Sequence, residues 1–219
     1  MSAPTTSSTV EPCAAERCGA ARAGAVLFRN RGWLPVFFLA VPLLWPLSHQ
    51  VGHHPLGARM SAVNWAIGLL LVAIGEGIRL AGVAAAGTTT RRRSRAVQRL
   101  VTYGAFAWSR NPLYNGNFLI WIGFAVVSGV LWFLPVAAAI FALEYSLIVR
   151  FEEGVLESTF GDEYLAYKRR TPRWIPRPPA AADRGPETYD WAQAWRSELS
   201  TFLQYAALVV AFVLKQWYF

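Results

Sequence analysis

The sequence predicts an all-α fold, a polytopic membrane helix bundle of about five transmembrane helices. Of the 219 residues, 54% are hydrophobic and only 16% are charged. In soluble domains about a quarter of the residues are charged. The apolar residues form blocks, and the arginines fall between the blocks. This alternation is typical of membrane proteins, so the net charge of +8 indicates cytoplasmic loops rather than binding to nucleic acid.

The sequence of residues 1–87 predicts a tail and two membrane spans. Residues 1–30 are rich in Ala, Ser and Thr and predict a disordered tail. A helix needs about 20 apolar residues to cross a bilayer. The segment WLPVFFLAVPLLWPL, 33–47, predicts a first span interrupted by prolines, and 61–87 predicts a second.

The remaining apolar blocks predict three further spans. Residues 111–143 contain no charged side chain and are too long for one crossing. The sequence VSGV at 127–130 is the natural break, which predicts two antiparallel helices joined by a tight turn. The block 199–214 predicts a fifth span or a helix lying in the interface. We therefore expect a membrane core over 31–180, followed by a linker and an apolar helix over 181–219.

Orientation follows from the loops. Arginines are frequent before span one, between spans two and three, and after span four, and they are scarce in the other two connections. The positive-inside rule then places the N-terminus, the 87–110 loop and the 150–198 segment in the cytoplasm. The composition, rich in Ala and Arg, suggests a bacterial protein of the inner membrane.

Two polar segments flank the predicted hairpin on its cytoplasmic side. The segment RNPLYNGN, 110–117, precedes span three, and VRFEEGVLESTFGDEYLAYKRRTPRWIP, 149–176, follows span four. Because a hairpin returns the chain to the same face, we expect the two segments to lie together. They would form a cytoplasmic pocket.

The groups in these segments suit one kind of ligand. Pro112 favours a helix start, Gly116 permits close approach to the backbone, and unpaired amides at a helix start attract an anionic or carbonyl group. The carboxylates of Glu152 and Glu153 suit ribose hydroxyls or a cation, and tyrosine rings suit a cation. S-adenosylmethionine combines all of these groups. The alternative interpretation is simple capping of span three beside a solvated amphipathic helix at 152–160.

Three motifs in this order resemble the superfamily of isoprenylcysteine carboxyl methyltransferases and phospholipid methyltransferases. The resemblance covers roughly residues 75–178, and the helical hairpin separates the first motif from the second. The residues that carry it are Arg110, Asn111, Pro112, Tyr114 and Gly116, then Glu152, Glu153, Leu156, Phe160, Gly161, Tyr164 and Tyr167, then Pro172, Arg173 and Pro176.

The resemblance implies a methyltransferase that uses S-adenosylmethionine. Its acceptor, a lipid, a prenyl-type carboxylate or a small lipophilic molecule, would enter from the bilayer. The cofactor-binding residues implied by the resemblance are Tyr103, Gly104, Arg110, Asn111, Pro112, Tyr114, Gly116, Asn117, Glu152, Glu153, Tyr164 and Tyr167.

The chain departs from the superfamily pattern at three places. Asn111 stands where the superfamily has His, and Gly104 begins a Gly-Ala-Phe element in place of Gly-Pro-Tyr. Ile148 replaces an arginine thought to orient the acceptor, and the nearest arginine is Arg150. The candidate catalytic residues are therefore Arg150 and Glu153, the latter as the base if the acceptor is an amine or a thiol.

Ionisable residues inside the predicted spans are further candidates. Glu76 and Arg79 stand three apart on one face of span two, where buried charges are costly and often functional. They would either pair with each other or line the acceptor cavity. Arg173 is a third candidate for contact with the substrate, and Glu144, late in span four, resembles Glu76 in its setting.

The remaining features do not predict a metal site. The histidines at 49, 53 and 54 fall in the predicted outer loop, and the two cysteines lie in the tail without a nearby His. A transporter would show more spans and internal repeats. A non-catalytic membrane scaffold or sensor that keeps the same fold is the alternative function. Whether methylation falls on oxygen, nitrogen or sulfur, and the oligomeric state, are left open by the sequence.

Overall fold

A computed structural model describes residues 23–27, 29–30, 34–47, 59–87, 99–179 and 189–218. Over these residues the chain is an all-α bundle, as the sequence predicts. Its helices are α1 (Leu34–Leu44), α2 (Ala62–Ala86), α3 (Ala105–Trp108), α4 (Pro112–Val127), α5 (Phe133–Phe160), α6 (Asp162–Arg170) and α7 (Trp191–Tyr218).

Three of these helices are long and apolar enough to cross a membrane. They are α2 with 25 residues and α5 and α7 with 28 residues each. The apolar helices α4, with 16 residues, and α1, with 11 residues, are shorter. Each of the five predicted spans is thus helical, and three of them reach membrane length within the described residues.

Helices α2 and α4 pack with their backbones in contact. A Cβ atom on Gly75 would lie 2.6 Å from the carbonyl oxygen of Gly116, and one on Gly123 would lie 2.6 Å from that of Gly68. The glycines repeat every seven residues on each helix and meet in opposite order, so the helices are antiparallel. Small residues at these positions permit the close approach, which sets the start of α4 against the last turns of α2.

The turn between α4 and α5 lies where the sequence predicts it. Gly129 takes a φ of 70°, which glycine adopts readily. The Ser128 hydroxyl donates to the carbonyl of Ala125 at 2.7 Å and accepts from the amide of Val130 at 3.2 Å. The chain therefore reverses within a few residues, and α5 runs back beside α4.

Helix α5 continues further than the sequence predicts. The amphipathic segment 152–160 is not a separate helix, because α5 runs unbroken from Phe133 to Phe160. It ends at Gly161, which has a φ of 51°. At about 1.5 Å per residue α5 is about 42 Å long, which exceeds the hydrocarbon core of about 30 Å. We therefore expect its last turns, which carry Glu152 and Glu153, to extend beyond that core.

Helix α7 begins earlier than the predicted 199–214. Asp190 starts it by accepting a hydrogen bond from the amide of Gln193 at 2.8 Å, as helix N-caps do. Near its other end the Lys215 ammonium donates to the carbonyl of Pro42 at 2.9 Å, and Phe212 packs against Phe124. The C-terminal helix is thus part of the bundle and not an appendage.

Some predictions fall on residues outside the described ranges. They are residues 1–22 and 28 of the tail, the histidines at 49, 53 and 54, the arginines of 91–95 and most of the linker over 181–188. The other residues of the tail predicted to be disordered over 1–30, which are 23–27 and 29–30, are helical.

Candidate functional site

The polar strip, residues 109–117, forms the entry to α4. Pro112 occupies the start of the helix, and Asn111 is its N-cap residue without a capping hydrogen bond from its side chain. The Asn111 side chain instead donates to the carbonyl of Arg173 at 3.0 Å. Helix capping therefore does not account for this asparagine.

A second segment, the strap of residues 171–179, lies along the polar strip. The Asn115 side chain donates to the carbonyl of Trp174 at 2.8 Å, and the Ser109 hydroxyl donates to that of Arg173 at 3.1 Å. The backbone amide of Arg110 donates to the carbonyl of Pro172 at 2.9 Å. Side chains of the strip thus satisfy carbonyls of the strap, and the two segments form one unit.

The carboxylate of Glu153 lies at the centre of this unit. Arg110 donates to its Oε1 through Nε at 3.1 Å and through Nη2 at 3.0 Å. Arg173 donates to Oε2 through Nη2 at 2.5 Å and to Oε1 through Nε at 3.1 Å. We call this trio the Glu153 clamp. It joins the start of α4, the end of α5 and the strap.

The clamp carries an excess of one positive charge. Arg110 and Glu153 are almost fully buried, while 34% of the Arg173 side chain is exposed. The hydrogen bond to Glu153 is the largest cause that raises the pKa of Arg173 above its ordinary value. Arg173 is therefore a reachable, permanently charged donor at the edge of the clamp.

An aromatic and acidic pair lies beside the clamp. The Tyr114 hydroxyl donates to Glu152 at 2.8 Å. The Tyr114 ring lies 4.8 Å from that of Tyr145, which in turn stacks on Phe141 at 4.0 Å. Glu152 and Tyr114 are partly exposed, whereas Tyr145 and Phe141 are buried, so a carboxylate and one aromatic ring share a surface.

Tyr164 and Tyr167 secure α6 against the rest of the protein. Both are buried, and the Tyr167 hydroxyl donates to the carbonyl of Phe106 at 2.7 Å. Burial first, and then the negative charge of Glu153, raise the pKa of Tyr164. Their place is behind the clamp rather than on its open side.

Tyr103 and Gly104 lie at the end of α2. The Tyr103 hydroxyl donates to the carbonyl of Ala85 at 2.8 Å and accepts from Arg99 at 2.9 Å. Gly104 has a φ of 62°, and a Cβ there would lie 2.9 Å from the Tyr189 hydroxyl. Among the described residues, neither is hydrogen-bonded to the clamp.

Arg150 is not part of the Glu153 clamp. It is exposed on α5, and the guanidinium groups that the structure places on Glu153 are those of Arg110 and Arg173.

A second group of polar side chains, the intramembrane cluster, joins α2, α4 and α7. The Arg79 guanidinium donates to Glu76 at 3.2 Å, to both oxygens of Glu198 at 3.0 and 2.9 Å, and to the Asn117 amide oxygen. The Tyr205 hydroxyl donates to Glu76 at 3.0 Å. The pairing of Glu76 with Arg79 is one of the two alternatives that the sequence leaves open, and it is part of a larger network.

Asn117 connects the intramembrane cluster to the aromatic rings beside the Glu153 clamp. Because its Oδ1 accepts from Arg79, its Nδ2 is directed to the Tyr145 hydroxyl, at 3.5 Å. The space next to Gly116 is filled by the Gly75 backbone and the Arg79 side chain. The close approach that Gly116 permits is thus between helices.

Sequence reasoning missed several residues of both groups. Ser109, Asn115 and Tyr145 carry no separate signal, since they lie inside polar or apolar runs. Glu198 did carry one, because an ionisable residue in an apolar helix is a functional candidate. The predicted fifth span begins at residue 199, so Glu198 falls just outside it in the sequence analysis.

Three buried side-chain atoms of the described residues have no hydrogen-bond partner. They are Oε1 of Glu76, Oε1 of Glu144 and Nε1 of Trp132. The described residues contain no group of three or more His, Cys, Asp or Glu side chains that could hold a metal ion.

Fold and site together define a class: a polytopic α-helical membrane protein with a charged polar site at one end of a helical hairpin. The chain matches the family of phospholipid methyltransferases over residues 63–163. This range contains the hairpin, the whole polar strip and Glu153, and it ends at the start of α6.

Individual relatives agree with this match. The protein-S-isoprenylcysteine O-methyltransferase of Mus musculus is 32% identical over 127 residues, which are 53% of this chain and 44% of that protein. That of Arabidopsis thaliana, form B, is 31% identical over 50% of this chain and 57% of its own length. The cobalt-zinc-cadmium resistance protein CzcN of Cupriavidus metallidurans is 35% identical over 52% of each chain. No solved structure matches.

Over this region the chain is therefore similar to the isoprenylcysteine and phospholipid methyltransferases, and the resemblance seen in the sequence is confirmed. It spans about half the length of the relatives it matches.

Proposed function

We propose that this chain is an integral-membrane methyltransferase that moves a methyl group from S-adenosylmethionine to a lipophilic acceptor entering from the bilayer. The observation that carries the proposal is the Glu153 clamp. Arg110 from the first motif, Glu153 from the second and Arg173 from the third are far apart in the sequence and meet in one ion-paired group.

The residues around the clamp fit the chemistry of S-adenosylmethionine. The excess positive charge of the clamp suits the carboxylate of the amino-acid end, and Arg173 is exposed enough to reach it. Glu152 suits the ribose hydroxyls or the amino group. The partly exposed ring of Tyr114, which packs on the buried ring of Tyr145, offers a face that attracts a cation such as the sulfonium.

When bound, the cofactor would supply an electrophilic methyl group. An oxygen, nitrogen or sulfur nucleophile of the acceptor would attack this methyl group, and S-adenosylhomocysteine would be the leaving group. The protein's own contribution is mainly position. Both oxygens of Glu153 accept hydrogen bonds from guanidinium groups, so we assign Glu153 the role of holding Arg110 and Arg173 in place. Arg150, exposed nearby on α5, would meet only an acceptor group that reaches the aqueous edge.

We propose that the intramembrane cluster receives the polar end of the acceptor. The orphan Oε1 of Glu76 can accept a hydrogen bond from a hydroxyl or an amine, which would remove the cost of leaving it unpaired. Asn117 links this cluster to Tyr145 and hence to the cofactor surface. Arg79, held by Glu198, positions Asn117.

Calorimetric titration of the purified chain with S-adenosylhomocysteine tests the cofactor. We expect saturable binding, because the product shares every group named above except the methyl and its charge. Incubation with lipid extract and radiolabelled S-adenosylmethionine then identifies the species that gains the methyl group. Binding without labelling of any lipid-soluble species would count against the lipophilic acceptor.

A non-catalytic scaffold or sensor is the second candidate function. One observation favours it: the amides of Asn111 and Asn115 are already satisfied by carbonyls of the strap. A site closed in this way would not need a ligand. Absence of S-adenosylhomocysteine binding in the same titration would decide for the scaffold.

A further inference from the structure

A cleft of about 380 Å³ lies outside the Glu153 clamp, between α3, the end of α6 and the strap. Among the described residues that line it, the charged ones are all arginines and none is a carboxylate. The lining residues are Ala107, Arg169, Arg170, Pro172, Arg177, Pro178 and Pro179. We call this the arginine cleft.

The strap holds the arginine cleft at the level where α4 begins. The backbone amide of Arg177 donates to the carbonyl of Trp108 at 3.0 Å, and Trp108 is four residues before the start of α4. Trp108 is 48% exposed and Ile175, in the strap, is 82% exposed. Trp residues are enriched at the membrane interface, and an exposed apolar side chain between basic residues is typical of interfacial anchors.

The donors of the cleft are arranged for an anion with several oxygens. Arg177 is fixed by a hydrogen bond from its Nη2 to the carbonyl of Arg170 at 3.0 Å. Arg169 and Arg170 end α6, and all three side chains are exposed. Guanidinium groups bind phosphate through paired N–H donors, so a phosphate in the cleft would meet donors from two directions.

We propose that the arginine cleft binds the phosphate headgroup of an anionic phospholipid, with Trp108 and Ile175 inserted beside it. The exposed side chains of Trp108 and Ile175 favour a lipid over free phosphate, because inserted apolar side chains would place the cleft next to the acyl layer. Clusters of basic residues at a membrane surface attract anionic lipids. The cleft is separate from the proposed transfer site and does not depend on that activity.

Native mass spectrometry of the full chain in detergent tests the proposal, with dioleoyl phosphatidylglycerol, dioleoyl phosphatidylcholine and inorganic phosphate as probes. The test variant is Arg169→Gln/Arg170→Gln/Arg177→Gln. The matched control is Arg196→Gln, since Arg196 is an exposed arginine of α7 that does not line the cleft.

We expect the wild type and Arg196→Gln to prefer phosphatidylglycerol over phosphatidylcholine by about tenfold or more, and the triple variant to lose the preference. Millimolar inorganic phosphate should not displace the lipid. Equal preference in the triple variant, no preference in the wild type, or displacement by phosphate alone would each overturn the proposal. If the triple variant fails to fold, Arg169→Gln alone should still weaken phosphatidylglycerol retention several-fold, and unchanged retention would overturn it.

Discussion

At the scale of single residues, the Glu153 clamp shows why a buried carboxylate can be stable near a membrane surface. An isolated buried charge is strongly unfavourable, but Glu153 accepts hydrogen bonds on both oxygens from two arginines. Charge-assisted bonds of this kind are about twice as strong as neutral ones. The clamp then has a surplus positive charge, which prepares it for an anionic ligand.

Arg173→Lys is expected to weaken S-adenosylhomocysteine binding by about tenfold or more, because an ammonium group cannot reproduce the paired donors of a guanidinium. The measurement is calorimetric titration of both proteins in detergent. Arg196→Gln serves as the control and should bind as the wild type does. Unchanged affinity in Arg173→Lys would remove Arg173 from the cofactor site.

Tyr114→Phe removes the donor to Glu152 and keeps the ring beside Tyr145. A lost hydrogen bond to a charged group corresponds to about 1.5–3 kcal/mol, so we expect affinity for S-adenosylhomocysteine to fall by about tenfold or more while the protein stays folded. Tyr218→Phe, at an exposed position of α7, is the control. Equal titration curves for the two variants would contradict the role of Tyr114.

At the scale of helices, the contact between α2 and α4 depends on glycine. Gly75→Ala would place a methyl group 2.6 Å from a backbone carbonyl of α4, whereas a Cβ on Gly77 of the same helix meets nothing within 4 Å. We expect Gly75→Ala to lower the free energy of unfolding by about 1–3 kcal/mol. Gly77→Ala should leave it unchanged or raise it by up to about 1 kcal/mol.

Thermal unfolding in detergent compares the two alanine variants directly. If Gly75→Ala unfolds at the same temperature as Gly77→Ala, the backbones of α2 and α4 are not in contact at this level.

Helix α7 is fixed to the bundle by a buried ion pair. Glu198 is fully buried and bonds Arg79 through both oxygens. Breaking a buried pair by removing one partner costs about 3–5 kcal/mol, so Glu198→Gln should destabilise the protein strongly. Glu157→Gln is the control, because Glu157 and Lys168 form a partly exposed pair, and surface pairs contribute about 0–1 kcal/mol.

The double variant Arg79→Met/Glu198→Met separates charge from packing. Apolar replacement of both partners of a buried pair is often neutral or stabilising, so we expect most of the stability lost in Glu198→Gln to return. A double variant less stable than Glu198→Gln would show that the two side chains contribute mainly by their shape.

At the scale of the whole molecule, the charge pattern predicts which end of the bundle faces the cytoplasm. Leu131 lies exposed in the turn between α4 and α5, and Glu163 lies exposed in α6 near the other end. In a background where both native cysteines are replaced by serine, a membrane-impermeant thiol reagent should label Leu131→Cys in intact cells. It should label Glu163→Cys only after lysis. The reverse pattern would invert the orientation.

The sequence was informative where structure is set locally. The uncharged run of 111–143 and its break at 127–130 predict the hairpin, because membrane thickness and turn chemistry are properties of short segments. The meeting of Arg110 with Glu153 follows from that hairpin. The pairing of Arg79 with Glu198 could not be predicted, since 119 residues separate them and nothing local specifies which face of α7 turns toward α2.

The seam between α2 and α4 has a mechanical consequence. Most interfaces in the bundle are filled by side chains, such as the rings between α4 and α5, and a side chain can change its rotamer when a guest arrives. Where two backbones are in direct contact, no rotamer change can accommodate a relative movement of the helices. We therefore expect any displacement of the polar strip at the start of α4 to move α2 as well. The two helices would move as one rigid unit, and the side chains of the other interfaces would rearrange around it.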